Sequence, residues 1–130
     1  MAEGDGGEPE INIDPALLAR AEAALETLRG DYPRWLNADL DKARRLLTQA
    51  TPPDHAQLYT IIHDIKGQAA TFGFPLVGDI AAALCEGLRS QAPPEAGRIN
   101  AMLDAMARIV ALGLSGDGGA MGRQILASLD

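Results

Sequence analysis

Residues 54–75 read DHAQLYTIIHDIKGQAATFGFP, and the fold follows from how this stretch is read. Leu58, Ile61, Ile62, Ile65, Ala69 and Phe72 recur at three- and four-residue spacing, the period of one helix face. On a wheel of about 100° per residue with His63 at zero, these six fall in an arc centred at roughly 210°. His63 is therefore predicted to stand on the opposite, solvent face, among Ala56, Tyr59, Thr60, Lys66, Gly67 and Ala70. Gly73-Phe74-Pro75 ends the segment in a tight reversal, the kind of link that joins antiparallel helical neighbours.

Upstream, Asp14-Pro15 reads as an N-cap and first helical position, followed by Leu17, Leu18, Ala21, Ala24, Leu25 and Leu28 at helical spacing. Gly30 is expected to end or kink that helix. Pro33 then opens a second one, with Tyr32, Leu36, Leu40, Ala43 and Leu47 on one face. Thr51-Pro52-Pro53 breaks it, with Thr51 placed to cap the helix that carries His63. Downstream, Leu76, Val77, Ile80, Ala81, Leu84 and Leu88 mark a fourth helix. Ile99, Met102, Leu103, Met106, Ile109 and Val110 mark a fifth, closed by Gly113. Residues 1–12 read as a disordered acidic tail, 13–113 as the helical bundle, and 114–130 as a Gly-rich segment ending in a short docked helix. No stretch alternates apolar and polar residues long enough for a strand. The expected fold is all-α: an up-and-down antiparallel four-helix bundle with an additional N-terminal helix and a short C-terminal one.

Composition agrees. The 130 residues allow one domain; 47 % are hydrophobic but only 4 % aromatic, so the core is built of Ala and Leu, as in closely packed helices. Eighteen acids against eleven bases give a net charge of −7, which argues against nucleic acid and against an anionic membrane surface as partners. One cysteine, Cys85, excludes an internal disulfide and a multi-cysteine metal site. The acidic start lacks the apolar run of a signal peptide, so a cytoplasmic protein is expected.

Three residues on the solvent face of the third helix carry the chemistry. A lone surface histidine is ordinarily only solvated, and a lone lysine only solubilises. Gly67, however, sits inside a helix, where glycine costs about 1 kcal/mol relative to alanine. It lies away from the apolar arc, so close helix packing does not call for it. The remaining reason is room for another macromolecule beside the imidazole, which stands on a low shelf with Ala56 and Ala70. Lys66, one turn on, opposes a second positive charge and so favours the neutral, nucleophilic imidazole; it would also attract a phosphoryl group once attached. The His63, Lys66, Gly67 spacing thus suits a surface histidine that takes a phosphoryl group from a docked partner. Tyr59 and Thr60, flanking His63, are candidates for the same interface. His55 is eight residues from His63, about 12 Å along a helix, too far to share a metal ion. No Gly-rich phosphate loop follows a strand, so no ATP site is expected; no Glu-x-x-His or calcium-loop pattern occurs, so no metal site is expected either.

The run His63-Asp64-Ile65-Lys66-Gly67-Gln68-Ala69-Ala70-Thr71-Phe72-Gly73 resembles the signature of histidine-containing phosphotransfer domains. That signature is His, any residue, an aliphatic, Lys, Gly, small residues, and a Gly ten positions after the His. The match holds at His63, Ile65, Lys66, Gly67, Ala69 and Gly73, continues through Leu84, and with the helix order covers roughly residues 14–112. The resemblance implies that His63 is a phosphoacceptor at Nε2, that Lys66 assists the phosphoryl group, and that Gly67 lets a response-regulator receiver domain approach. It implies receiver domains and hybrid histidine kinases as partners. It also implies a monomeric, stoichiometric carrier rather than an enzyme, with no cofactor of its own; the Mg²⁺ that transfer needs belongs to the receiver.

Two departures stand out. Gln68 occupies a place usually held by Ser or Ala. Cys85, with Glu86 beside it, stands where many members carry a Gln or Glu that bonds the histidine Nδ1. A thiol accepts hydrogen bonds poorly, so whether Cys85 or Glu86 orients the ring is left open by the sequence. Two alternatives for the whole chain are a kinase-type dimerisation and phosphoacceptor domain, and a degenerate bundle that only binds a partner.

Overall fold

The computed structural model describes residues 14–130, so the expected acidic tail lies outside the described residues. Among the described residues five helices follow in order: α1 Pro15–Gln49, α2 His55–Ala69, α3 Pro75–Leu88, α4 Ala96–Ala111 and α5 Gly119–Ala127. No strand occurs among the described residues. Consecutive helices reverse across short links, α1 also packs on α4 to close the ring, and α5 adds to α4. The all-α bundle expected from the sequence is the one observed.

One boundary differs. The two helices expected upstream of Thr51 are a single helix, with Gly30 and Pro33 inside it. An interior proline removes a backbone hydrogen bond and costs about 3 kcal/mol. Here packing on the C-terminal side offsets that cost. Tyr32 is buried and stacks on Phe72 at 4.9 Å and on Phe74 at 5.8 Å, while Leu36, Leu40, Ala43 and Leu47 lie in the core. On the N-terminal side, the alanine- and leucine-rich run 16–25 is made of strong helix formers, and the helix continues on propensity. Its apolar face is therefore not core: Leu17, Leu18 and Leu28 are exposed. The additional N-terminal helix of the sequence reading is thus a projecting half of α1.

The core draws on every helix. Leu58, Ile62, Ile65 and Ala69 of α2 are buried against Val77, Ile80, Ala81 and Leu84 of α3 and Ile99, Leu103, Met106 and Ile109 of α4. Ile125 of α5 and Leu129 beyond it join the same cluster, so this short helix packs on the bundle.

Glycine ends two helices where the sequence placed it. Beyond α2 the helical pattern runs on through Phe72; Gly73 takes φ +91°, and the Phe74 N–H bonds the Ala69 carbonyl at 2.9 Å. Beyond α4, Gly113 takes φ +66° and the Leu114 N–H bonds the Ile109 carbonyl at 2.9 Å. Both are six-to-one closures that only a left-handed residue permits.

The start of α2 is capped by Asp54 rather than Thr51. Its carboxylate accepts from the Gln57 N–H at 3.1 Å and the Gln57 side-chain amide at 2.8 Å. The preference of Asp for this place over Thr, together with the positive helix end, accounts for the shift. These bonds hold the Asp54 carboxyl below its ordinary value of 3.8. A depressed carboxyl binds fewer protons in the folded state, so its contribution is present above the ordinary value and fades as pH falls below it. Acid unfolding of Asp54→Ala, followed by circular dichroism, is expected to lose less stability across that window than the parent chain.

Candidate functional site

The face of α2 opposite the core is the one the wheel predicts. Leu58, Ile62, Ile65 and Ala69 point inward, whereas Ala56, Thr60, His63, Lys66, Gly67 and Ala70 are exposed and Tyr59 is half-buried. The His63 imidazole thus stands in water on a helix whose opposite side is anchored along its whole length.

The glycine beside it has open space. Among the described residues a Cβ built on Gly67 meets no neighbouring atom within 4 Å, and its backbone is ordinary right-handed helix. Nothing among the described residues asks for glycine here, neither steric room for another helix nor a positive φ. Gly78 offers a contrast: its Cβ would lie 3.7 Å from both the Ala69 Cβ and the Lys66 carbonyl oxygen, at the close crossing of α2 and α3.

Lys66 is exposed and makes no ion pair with a described residue, so its ammonium is available one turn from His63. Ala56 and Thr60 line a shallow depression together with Gln57 and Ile61. The Thr60 hydroxyl donates to the Ala56 carbonyl at 3.2 Å, so its proton is already engaged on the helix. Ala56, Thr60, Gly67 and Ala70 together form a low and largely apolar surface around the ring.

The two residues considered as ring-orienting groups stand apart. Cys85 is buried in the core. Burial pushes its thiol up, against the pull of the positive charges of Lys66 and Arg89, so it stays neutral near neutral pH. Glu86 is exposed. No hydrogen bond from Cys85, Glu86 or any other described side chain reaches the His63 ring.

What does touch the ring is Tyr59, one turn earlier. The two ring centroids lie 5.6 Å apart with an interplanar angle of 26°. Arg89, at the C-terminal end of α3, donates from Nη1 to the Tyr59 hydroxyl at 3.2 Å, and its guanidinium carbon is 5.7 Å from the Tyr59 ring centroid. Sequence reasoning took Tyr59 only as a docking residue and passed over Arg89. A signal for Arg89 existed: it lies four residues after Cys85, one turn further along the α3 face that motif spacing had already set opposite His63.

Among the described residues the site brings together an exposed nucleophile, a lysine one turn away and open space at Gly67. Among the described residues no group of three His, Cys, Asp or Glu side chains is gathered to hold a metal ion. No helix among them is long and apolar enough to cross a membrane. The site can accept a small anionic group from a docked macromolecule, with little protein chemistry beyond positioning and charge.

The family model described as Hpt domain matches residues 15–109, from the first residue of α1 to near the end of α4. No curated protein and no solved structure matches the chain. The matched span ends before α5.

Proposed function

From the premise that this chain belongs to the Hpt domain family, whose members serve histidine phosphotransfer in phosphorelays, we propose that it is a phosphoryl carrier with His63 as the acceptor. The observation that carries the reading is the exposed His63 ring beside a glycine with open space at its Cβ.

In the proposed step a receiver domain docks over Ala56, Tyr59, Thr60, Gly67 and Ala70. The neutral imidazole attacks through Nε2, in line with the acyl-phosphate bond of the receiver's phospho-aspartate. A P–N bond forms as the P–O bond breaks, and the electron pair leaves with the aspartyl carboxylate. The reverse step hands the group to another receiver aspartate. Such transfer rests on positioning and charge stabilisation, with little covalent work for the bundle itself. Lys66 screens the charge of the phosphoryl group; the Mg²⁺ is the receiver's, and the chain supplies no cofactor. The carrier acts stoichiometrically rather than as an autonomous enzyme, in the cytoplasm, with a receiver domain or the receiver of a hybrid histidine kinase as donor. Its acidic surface limits wrong partners.

It works as a monomer on this reading. A kinase-type dimerisation domain builds its bundle from two chains, whereas α1 to α4 bury a shared core within one chain.

The test is incubation of the chain with a receiver domain phosphorylated with labelled phosphate. Label is expected on the chain in an acid-labile, base-stable form, as a phosphoramidate requires; no label would reject the carrier reading. Lys66→Ala is expected to slow transfer about three- to tenfold without abolishing it, the size of effect an exposed neighbouring charge supports. Complete loss with an intact fold would show that Lys66 does more than supply charge.

A further inference from the structure

We propose that Tyr59, held in place by Arg89, positions the His63 imidazole for transfer. The proposal rests on His63 being the phosphoryl acceptor.

An exposed histidine on a helix turns freely about its side-chain bonds, and in-line attack needs one nitrogen aimed outward. A hydrogen bond to the other nitrogen is the usual means of fixing a ring. No described side chain supplies one here, and Cys85, at the place where spacing would put such a group, is a buried neutral thiol. The ring is instead faced by Tyr59, with centroids 5.6 Å apart and planes inclined by 26°. A stack of this kind restrains the plane of the imidazole while leaving both nitrogens on its edge unobstructed. It therefore orients the nucleophile without consuming it.

A stack orients only if its platform is fixed, and Tyr59 is fixed from two sides. Its body packs against the hydrophobic core. Its hydroxyl accepts a hydrogen bond from Arg89 at 3.2 Å, and the guanidinium carbon sits 5.7 Å from its ring centroid. Arg89 is in turn anchored where α3 ends, its backbone N–H bonding the Cys85 carbonyl at 3.2 Å and the Glu86 carbonyl at 3.3 Å. Glu86 lies three residues before Arg89, close enough for an ion pair, yet the described ion pairs include none between them. The arginine is directed at the tyrosine instead. Support thus runs from the end of α3 through Tyr59 on α2 to the reactive ring.

The test combines the NMR signals of the His63 ring in the unphosphorylated protein with transfer rates across a range of phosphorylated receiver concentrations. The variants are Tyr59→Phe, Tyr59→Ala and Arg89→Ala, with the amide spectrum reporting the fold. In Tyr59→Ala the ring-current displacement of the His63 C–H signals is expected to vanish. The maximal rate at saturating receiver is expected to fall about three- to tenfold, the range a stacked aromatic pair supports. Tyr59→Phe keeps the stack and restores most of both. Arg89→Ala loses part of both. Unmoved His63 signals in Tyr59→Ala, or a change only in the receiver concentration giving half-maximal rate, would overturn the proposal and leave Tyr59 a docking residue. A slower Arg89→Ala with unmoved His63 signals would overturn the role of Arg89 by showing that it acts on the phosphoryl group directly. These outcomes are separate from failure of the acceptor reading, because the ring signals are read without any phosphoryl group present.

Discussion

Replacing His63 by Gln is expected to lower phosphoryl acceptance from a phosphorylated receiver roughly a thousandfold or more, to the background set by slow hydrolysis. The magnitude follows from removing the nucleophile itself, for which positioning and charge cannot compensate. The other histidine, His55, opens α2 eight residues earlier, about 12 Å along the helix. A receiver seated to deliver its phosphoryl group to position 63 does not reach it. The fold is expected to survive, because position 63 is exposed and glutamine is a good helix former. Acid-labile label retained in His63→Gln at the parental rate would remove His63 from the mechanism and move the search to another side chain.

Gly67→Arg is expected to separate stability from function in opposite directions. Position 67 lies in regular helix with no described residue within 4 Å of a built Cβ, so an arginine is accommodated without strain. Arginine favours a helix interior over glycine by up to about 1 kcal/mol, which should raise the melting temperature by a few degrees. Transfer is expected to fall roughly a hundredfold, because the long side chain stands where the receiver must close and misplaces the reacting atoms by an ångström or more. Gly67→Gln should act in the same direction with a smaller steric effect. Parental transfer rates in Gly67→Arg would show that the glycine is not there for approach. Loss of stability in that variant would show an internal packing role that the geometry does not predict.

The face of α2 was readable because helical periodicity fixes it. Leu58, Ile62, Ile65 and Ala69 must share one side, and His63 then has no choice but the other. Gly67 was informative for a related reason: with no local demand on the backbone, a costly residue points to something outside the chain. The boundaries were less legible. Gly30 and Pro33 are strong local breakers, and the packing that helps carry α1 through them includes Tyr32 stacking on Phe72 and Phe74, residues far along the sequence. The cap of α2 depended on a choice between Thr51 and Asp54 that only backbone geometry settles.

The ring's neighbours divided in the same way. Tyr59 shares a face with His63 at four-residue spacing, so its presence beside the ring was foreseeable, while its stack on the imidazole was not. Arg89 belongs to another helix, and its direction toward Tyr59 rather than Glu86 depends on how α2 and α3 are set against each other. Periodicity along one helix gives no information about that pairing. The same holds for Cys85 and Glu86, whose relation to the ring rests on the rotation of α3.

The claim beneath all of this is that a particular imidazole nitrogen on α2 receives the phosphoryl group. The direct measurement is nitrogen-15 and phosphorus-31 NMR of histidine-labelled protein after incubation with a phosphorylated receiver, which assigns the new bond to a residue and to one of its two ring nitrogens. The account predicts a single phosphoramidate at Nε2 of His63, with His55 unchanged. A phosphoryl group on His55, on a carboxylate or on no residue of the chain would contradict it.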